Sequence, residues 1–157
     1  MSTYFGISSE RHIKEWFAIF FMIYYLDTSI WLDFFENRNE PNFPKGDLAH
    51  VLLSAIIDND DKIIYSDITL LELIEIGYQI QEIRELFKRI KPILIFVKST
   101  EKEARRAKDL SEKRDVPKKD ALHALIARDN KSILVTFDNH FKNLLDIIKP
   151  KKPQDII

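Results

Sequence analysis

Four acidic residues, Asp27, Glu72, Asp120 and Asp138, are placed so that they could serve one reaction together. Asp27 ends an apolar run that predicts a buried strand, and Asp138 follows another such run by two residues. Glu72 and Asp120 fall in early turns of predicted helices. Carboxylates that share one site repel each other and raise each other's pKa values, and a bound Mg²⁺ or Mn²⁺ relieves that repulsion. An ion held in this way can activate water for attack on a phosphate ester.

The elements that must position these acids alternate between short apolar runs and helical segments. Strands are predicted at residues 23–26, 63–65, 93–97 and 133–136, and residues 150–157 could end in a further edge strand. Helices are predicted from residue 28 or 29, from 47 to 57, from 66 or 67 to 91, from 100, from 117 to 130 and from 141 to 148. This alternation predicts a parallel sheet of four to five strands between two helical layers, a three-layer α/β/α fold.

The predicted topology brings the acids together, because parallel strands end at one edge of the sheet and the returning helices begin there. Each acid also has a purely structural interpretation. Asp27 or Asp138 could simply cap a helix. Asp120 could stand in the first turn of its helix only because the helix dipole favours an acid there. Glu75, one turn after Glu72, is a competing candidate for the same role. The shared edge is what favours a metal site.

The apolar residues of the helix predicted from residue 66 or 67 to 91 indicate which of its faces is buried. Gly77 is a weak point within that helix. The predicted buried stripe consists of Leu70, Leu73, Ile74, Ile76 and Ile80.

The composition is that of a globular domain of 157 residues with a net charge of −1, so any nucleic-acid surface has to be local. The chain has no cysteine, which excludes disulfides, thiolate metal sites and cysteine nucleophiles and fits a cytoplasmic protein. The apolar residues 16–26 have the length of a signal-peptide core, but Glu10 and Glu15 precede them and no small-residue cleavage site follows. We expect residues 1–21 to be an N-terminal extension, helical over residues 8–21, and residues 22–157 to form the domain. Met22 is an alternative start.

Four blocks of sequence carry a family resemblance: IYYLDTSIWLDFF, SDITLLEL, PKKDALHALIA and ILVTFDNHF. In order and spacing they resemble the PIN-domain nucleases, especially the VapC-type toxins. The resemblance makes Asp27, Glu72, Asp120 and Asp138 the catalytic and metal-binding quartet. It also gives a supporting role to three hydroxyl residues, Thr28, Ser29 and Thr136. The glycine that often precedes the last strand in this family is replaced here by Asp129-Asn130-Lys131.

The resemblance implies an endoribonuclease that uses Mg²⁺ or Mn²⁺ and leaves a 5′-phosphate and a 3′-hydroxyl on its RNA substrate. It further implies a type II toxin, restrained by a small antitoxin, that forms a homodimer and needs no membrane. Two alternatives remain open. One is a PIN-like RNA-binding or scaffold domain without turnover, and the other is a haloacid-dehalogenase-like phosphatase. The phosphatase normally has a second acid where Ser29 stands.

Basic residues and histidines give weaker indications of substrate contact. Lys118 and Lys119 lie beside Asp120 and are the better candidates for phosphate contacts. His123 lies one turn after Asp120 between apolar neighbours, which favours packing over metal binding. His140 could contact substrate or only solvent.

Overall fold

The computed structural model describes residues 21–157 of the chain. Apart from Phe21, the predicted N-terminal extension lies outside the described residues, so that division of the chain stays a prediction.

Four parallel strands form the centre of the domain. They are β1 (Ile23–Leu26), β2 (Lys62–Ser66), β3 (Leu94–Val97) and β4 (Ile133–Val135). The strand order is β3-β2-β1-β4, and Tyr25 of β1 lies in register with Ile64 on one side and Leu134 on the other. β1 is therefore an inner strand, and its carboxyl end lies between those of β2 and β4.

In residues 21–157, which the structure describes, six α-helices cover the sheet. They are α1 (Thr28–Glu36), α2 (Lys45–Asp58), α3 (Asp67–Ile76), α4 (Ile80–Lys88), α5 (Glu101–Arg114) and α6 (Lys118–Asp129). Short 3₁₀ helices span Lys91–Ile93, Asn139–Leu144 and Pro153–Asp155.

Two hydrophobic cores lie on opposite faces of the sheet. Because side chains alternate along a strand, Tyr24 and Leu26 enter one core, with Trp31 of α1, and Tyr25 enters the other, with Leu125 of α6. Burial of both sheet faces explains why the strand segments are almost continuously apolar. The predicted three-layer α/β/α fold is confirmed.

The long helix predicted over residues 66–91 is wrong, because the chain forms two helices there. Gly77 ends α3 with a φ of 125°, a conformation that side chains other than glycine rarely adopt. The predicted buried stripe is also partly wrong: Leu73 is buried, but Ile74, Ile76 and Ile80 are exposed. The apolar spacing typical of a helix continues across Gly77, although the backbone turns at that residue.

Smaller differences occur near the chain's end and at the first helix. The predicted last helix is a 3₁₀ helix, and the tail adds one isolated bridge from Lys151 to Val135 rather than a full strand. α1 begins at Thr28, so Thr28 and Ser29 lie inside its first turn and not at its cap. Within the described residues, no helix is long and apolar enough to cross a membrane.

Candidate metal centre and active site

The carboxyl edge of the sheet holds the four predicted acids on four different elements. Asp27 directly follows β1, and Asp138 follows the neighbouring strand β4. Asp120 lies in the first turn of α6, and Glu72 lies on α3. The pairing of β1 with β4 places Asp27 near Asp138 although the two are far apart in the sequence.

Asp27 is held by hydroxyl groups from the first turn of α1 and from the residue that follows β4. Its carboxylate is nearly buried, and Oδ2 accepts hydrogen bonds from Ser29 Oγ at 2.9 Å and from Thr136 Oγ1 at 2.8 Å. Thr136 Oγ1 in turn accepts a hydrogen bond from the Asp138 backbone N–H at 2.9 Å. One hydroxyl therefore links the orientations of two acids that follow adjacent strands.

Asp120 and Asp138 come closest to forming a binding site for one ion. Together with His140 they offer three ligand atoms that lie within 4.8 Å of one another. His140 Nδ1 lies 3.2 Å from Asp138 Oδ1 and 3.5 Å from Asp120 Oδ2. Two carboxylates and one imidazole form a donor set that fits a divalent cation.

The electrostatics of Asp120 show how close the acids are. Burial and the negative charges of Asp27 and Asp138 raise the pKa of Asp120 to about 6, although His123 and His140 act to lower it. Asp120 is thus destabilised as an anion by its neighbours, which is the condition that a bound cation would relieve.

Glu72 is held by a different set of contacts. Its Oε1 accepts a hydrogen bond from Thr28 Oγ1 at 3.0 Å and also contacts Nε2 of His123. His123 is completely buried, and its Nδ1 lies 2.6 Å from the Tyr25 hydroxyl, which lies 2.7 Å from Ser66 Oγ. This chain of contacts, which we call the Tyr25–His123 network, anchors Glu72 from the interior of the domain.

The network favours an ion pair between His123 and Glu72. Burial acts to lower the pKa of His123, but its contacts with Tyr25 and with the carboxylates of Glu72 and Asp27 outweigh burial and raise that pKa. Burial acts to raise the pKa of Glu72, but the hydrogen bonds from His123 and Thr28 lower it overall. His123 is buried as predicted, but its role is to hold a carboxylate and not only to pack.

An open groove of about 420 Å³ lies beside Asp138. Arg38, Lys45 and Phe137 line it. Arg38 pairs with Asp33 at 3.0 Å. Lys45 pairs with Glu40 at 2.9 Å, and its Nζ lies 6.0 Å from the centre of the Phe137 ring. The groove thus combines cationic groups with an aromatic ring at the edge of the acidic cluster.

Several of these residues were missed by sequence reasoning. Arg38 and Lys45 lie in the segment Glu36–Lys45, whose polar, proline-bearing sequence predicts only a loop, and their basic character was the available signal. Tyr25 was counted as an apolar strand residue. Lys119, a predicted candidate for phosphate contact, donates a hydrogen bond to Glu75, and its contact with phosphate stays a prediction.

Comparison with known proteins agrees with this geometry. Residues 24–145 match the family model described as PIN domain. Among curated proteins, none matches the chain.

Three solved structures have folds similar to that of this chain. VapBC2 from Rickettsia felis, bound to a DNA fragment from its promoter, gives a TM-score of 0.59 at 20% identity, covering 83% of this chain and 98% of that one. A toxin–antitoxin complex from Klebsiella pneumoniae gives a TM-score of 0.56 at 18% identity, covering 82% of this chain and 98% of that one. FitAcB from Neisseria gonorrhoeae gives a TM-score of 0.54 at 16% identity, covering 83% of this chain and 98% of that one. At these identities the likeness to the solved structures shows the fold alone. The family match spans most of the described residues. The chain therefore belongs to the PIN-domain family.

Proposed function

We propose that this protein is a metal-dependent endoribonuclease that cleaves RNA phosphodiester bonds. The observation that carries the proposal is the meeting of Asp27, Asp120 and Asp138 at one edge of the sheet, where burial and the charges of the other two raise the pKa of Asp120. Membership of the PIN-domain family supports a nuclease.

The proposed ligands are the predicted quartet of Asp27, Glu72, Asp120 and Asp138, and the proposed ion is Mg²⁺ or Mn²⁺. When bound, such an ion supplies activation of water and neutralisation of charge on the phosphate. Asp27 is hydrogen-bonded through Oδ2 and can offer its other oxygen to the ion. Glu72 is hydrogen-bonded through Oε1 and can do the same.

The groove beside Asp138 is the proposed path of the RNA strand. Arg38 and Lys45 would contact backbone phosphates, which position a nucleic acid without reading its sequence. Phe137 offers a ring face on which a base can stack. The cations would then bring a phosphate towards Asp138.

The test is cleavage of labelled RNA with Mg²⁺ or Mn²⁺ by the wild-type protein and by Asp27→Asn and Asp138→Asn. We expect cleavage that disappears in chelator and in both variants, because each removes a carboxylate charge from the site. Asp58→Asn, at an exposed position at the end of α2, is the matched control and should cleave normally. Full activity in chelator or in Asp138→Asn would refute the mechanism. RNA binding without cleavage by the wild-type protein would favour a silent binding module.

We further propose that the protein acts in the cytoplasm as the toxin of a toxin–antitoxin pair. The structural neighbour from Klebsiella pneumoniae that is described as a toxin–antitoxin complex supports this role. Induced expression should arrest growth, and expression of Asp138→Asn should not. Unimpaired growth with the active protein would contradict the toxin role.

Exposed apolar side chains on α3 and α4 support a protein partner or a homodimer. Leu71, Ile74, Ile76 and Ile80 are between 42% and 55% exposed, which is a large apolar surface for neighbouring helices. We expect light scattering to show a dimer and Ile76→Glu to convert it to a monomer with an unchanged circular dichroism spectrum. Ile57→Glu, at an exposed apolar position on α2, should leave the dimer intact.

A further inference from the structure

His140 lies beside the acidic cluster because of a local turn after β4. Its backbone N–H donates a hydrogen bond to Asp138 Oδ1 at 2.8 Å, at the start of the 3₁₀ helix Asn139–Leu144. This bond folds the chain back, so that Nδ1 of the imidazole lies 3.2 Å from Asp138 Oδ1 and 3.5 Å from Asp120 Oδ2. The side chain is 64% exposed, so it is free to adjust to a ligand.

The distances match those between neighbouring ligands of one ion. Ligand atoms about 2.1 Å from an octahedral ion lie ~3 Å apart when they are adjacent. Nδ1 lies close to that spacing from one oxygen of each carboxylate, and the ligand atoms that the three side chains offer all fall within 4.8 Å of one another. Two carboxylates from separate elements and one imidazole therefore converge on a common point.

His123, the other histidine near the site, is already engaged. It is buried, with Nδ1 against the Tyr25 hydroxyl and Nε2 against Glu72. Of these two histidines, His140 is the one with a ring nitrogen near both Asp120 and Asp138.

We propose that His140 is a nitrogen ligand of the divalent ion and makes this site prefer a first-row transition ion such as Mn²⁺ over Mg²⁺. Imidazole nitrogen is a good ligand for transition ions, with affinity rising from Mn²⁺ to Co²⁺, whereas Mg²⁺ prefers oxygen. The proposal rests on the proposed function in one respect, that Asp120 and Asp138 hold an ion.

The test measures metal binding directly, with Mn²⁺, Co²⁺ and Mg²⁺ as probes in calorimetry of the full chain. We expect His140→Gln to lower the affinity for Mn²⁺ roughly tenfold, that for Co²⁺ by more and that for Mg²⁺ by less than about threefold. Pulsed EPR of bound Mn²⁺ should show nitrogen coupling in the wild-type protein and none in His140→Gln. His50→Gln, at an exposed histidine on α2, is the matched control and should bind like the wild type.

Each outcome separates this proposal from the proposed function. Equal losses for all three ions, or nitrogen coupling that persists in His140→Gln, would overturn the ligand role of His140 and leave the acidic site intact. Mn²⁺ binding that survives in Asp138→Asn, or no Mn²⁺ binding by the wild-type protein, would overturn the metal site itself. Because His140 is exposed, unfolding midpoints of His140→Gln and the wild type should agree without metal.

Discussion

Removal of the Tyr25 hydroxyl tests whether the buried network supports both the fold and Glu72. Tyr25 is completely buried, and its hydroxyl lies 2.7 Å from Ser66 Oγ and 2.6 Å from His123 Nδ1. Tyr25→Phe deletes this single oxygen and leaves the ring to fill the same space. The change therefore removes hydrogen bonds without creating a large cavity.

The expected loss of unfolding free energy depends on the hydrogen bonds that Ser66 and His123 retain in Tyr25→Phe. Ser66 Oγ still accepts a hydrogen bond from the Thr69 backbone N–H at 3.3 Å, so its loss is small. His123 Nδ1 loses its partner in a buried position, and leaving a buried polar group unpaired costs about 1–3 kcal/mol. With about 1 kcal/mol for the bond to Ser66, we expect the free energy of unfolding to fall by about 2–4 kcal/mol.

Urea unfolding followed by circular dichroism is the assay, and the midpoint should fall by about 1 M. Tyr78→Phe is the matched control, because the Tyr78 hydroxyl donates one hydrogen bond, to Glu36 at 2.7 Å, near the surface. That variant should lose less than about 1 kcal/mol.

A second readout connects the network to the site. Tyr25→Phe should also weaken Mn²⁺ binding roughly tenfold, because outer partners orient the groups that bind a metal. Equal destabilisation by the two tyrosine variants, or unchanged Mn²⁺ affinity in Tyr25→Phe, would refute the role assigned to the network.

Three further predictions follow from single contacts. Gly46→Ala should lower the free energy of unfolding by about 1–3 kcal/mol in thermal unfolding, because a Cβ there would lie 2.5 Å from a backbone carbon of the preceding loop. Because the pKa of Asp120 is raised to about 6, protons compete with the ion below that pH, and calorimetry should show Mn²⁺ affinity falling roughly tenfold from about pH 7 to about pH 5. Thr136→Val removes the hydroxyl that links Asp27 to Asp138, and Mn²⁺ affinity should fall roughly tenfold in the same assay. A stable Gly46→Ala protein, pH-independent affinity, or wild-type affinity in Thr136→Val would contradict the respective argument.

Local patterns were sufficient to predict most of the fold. The four apolar runs became the four parallel strands, because strands buried on both faces need apolar side chains at nearly every position. The pattern Thr100-x-x-Glu103 indicates a capping box, because it depends on residues only three positions apart, and that capping box is present at the start of α5. The break at Gly77 was underestimated because helical periodicity continues on both sides of it.

The sequence by itself determined which acids reach the carboxyl edge of the sheet, because strand direction and helix starts place them there whatever the strand order. The tertiary structure decided which of them meet. The order β3-β2-β1-β4 puts Asp27 beside Asp138. The turn after β4 brings His140 close to Asp138 and to Asp120. Such contacts join side chains that are distant in sequence, so they depend on packing and rotamers that no local pattern encodes. For the same reason Tyr25 was predicted only as a strand residue, although it anchors the His123 that holds Glu72.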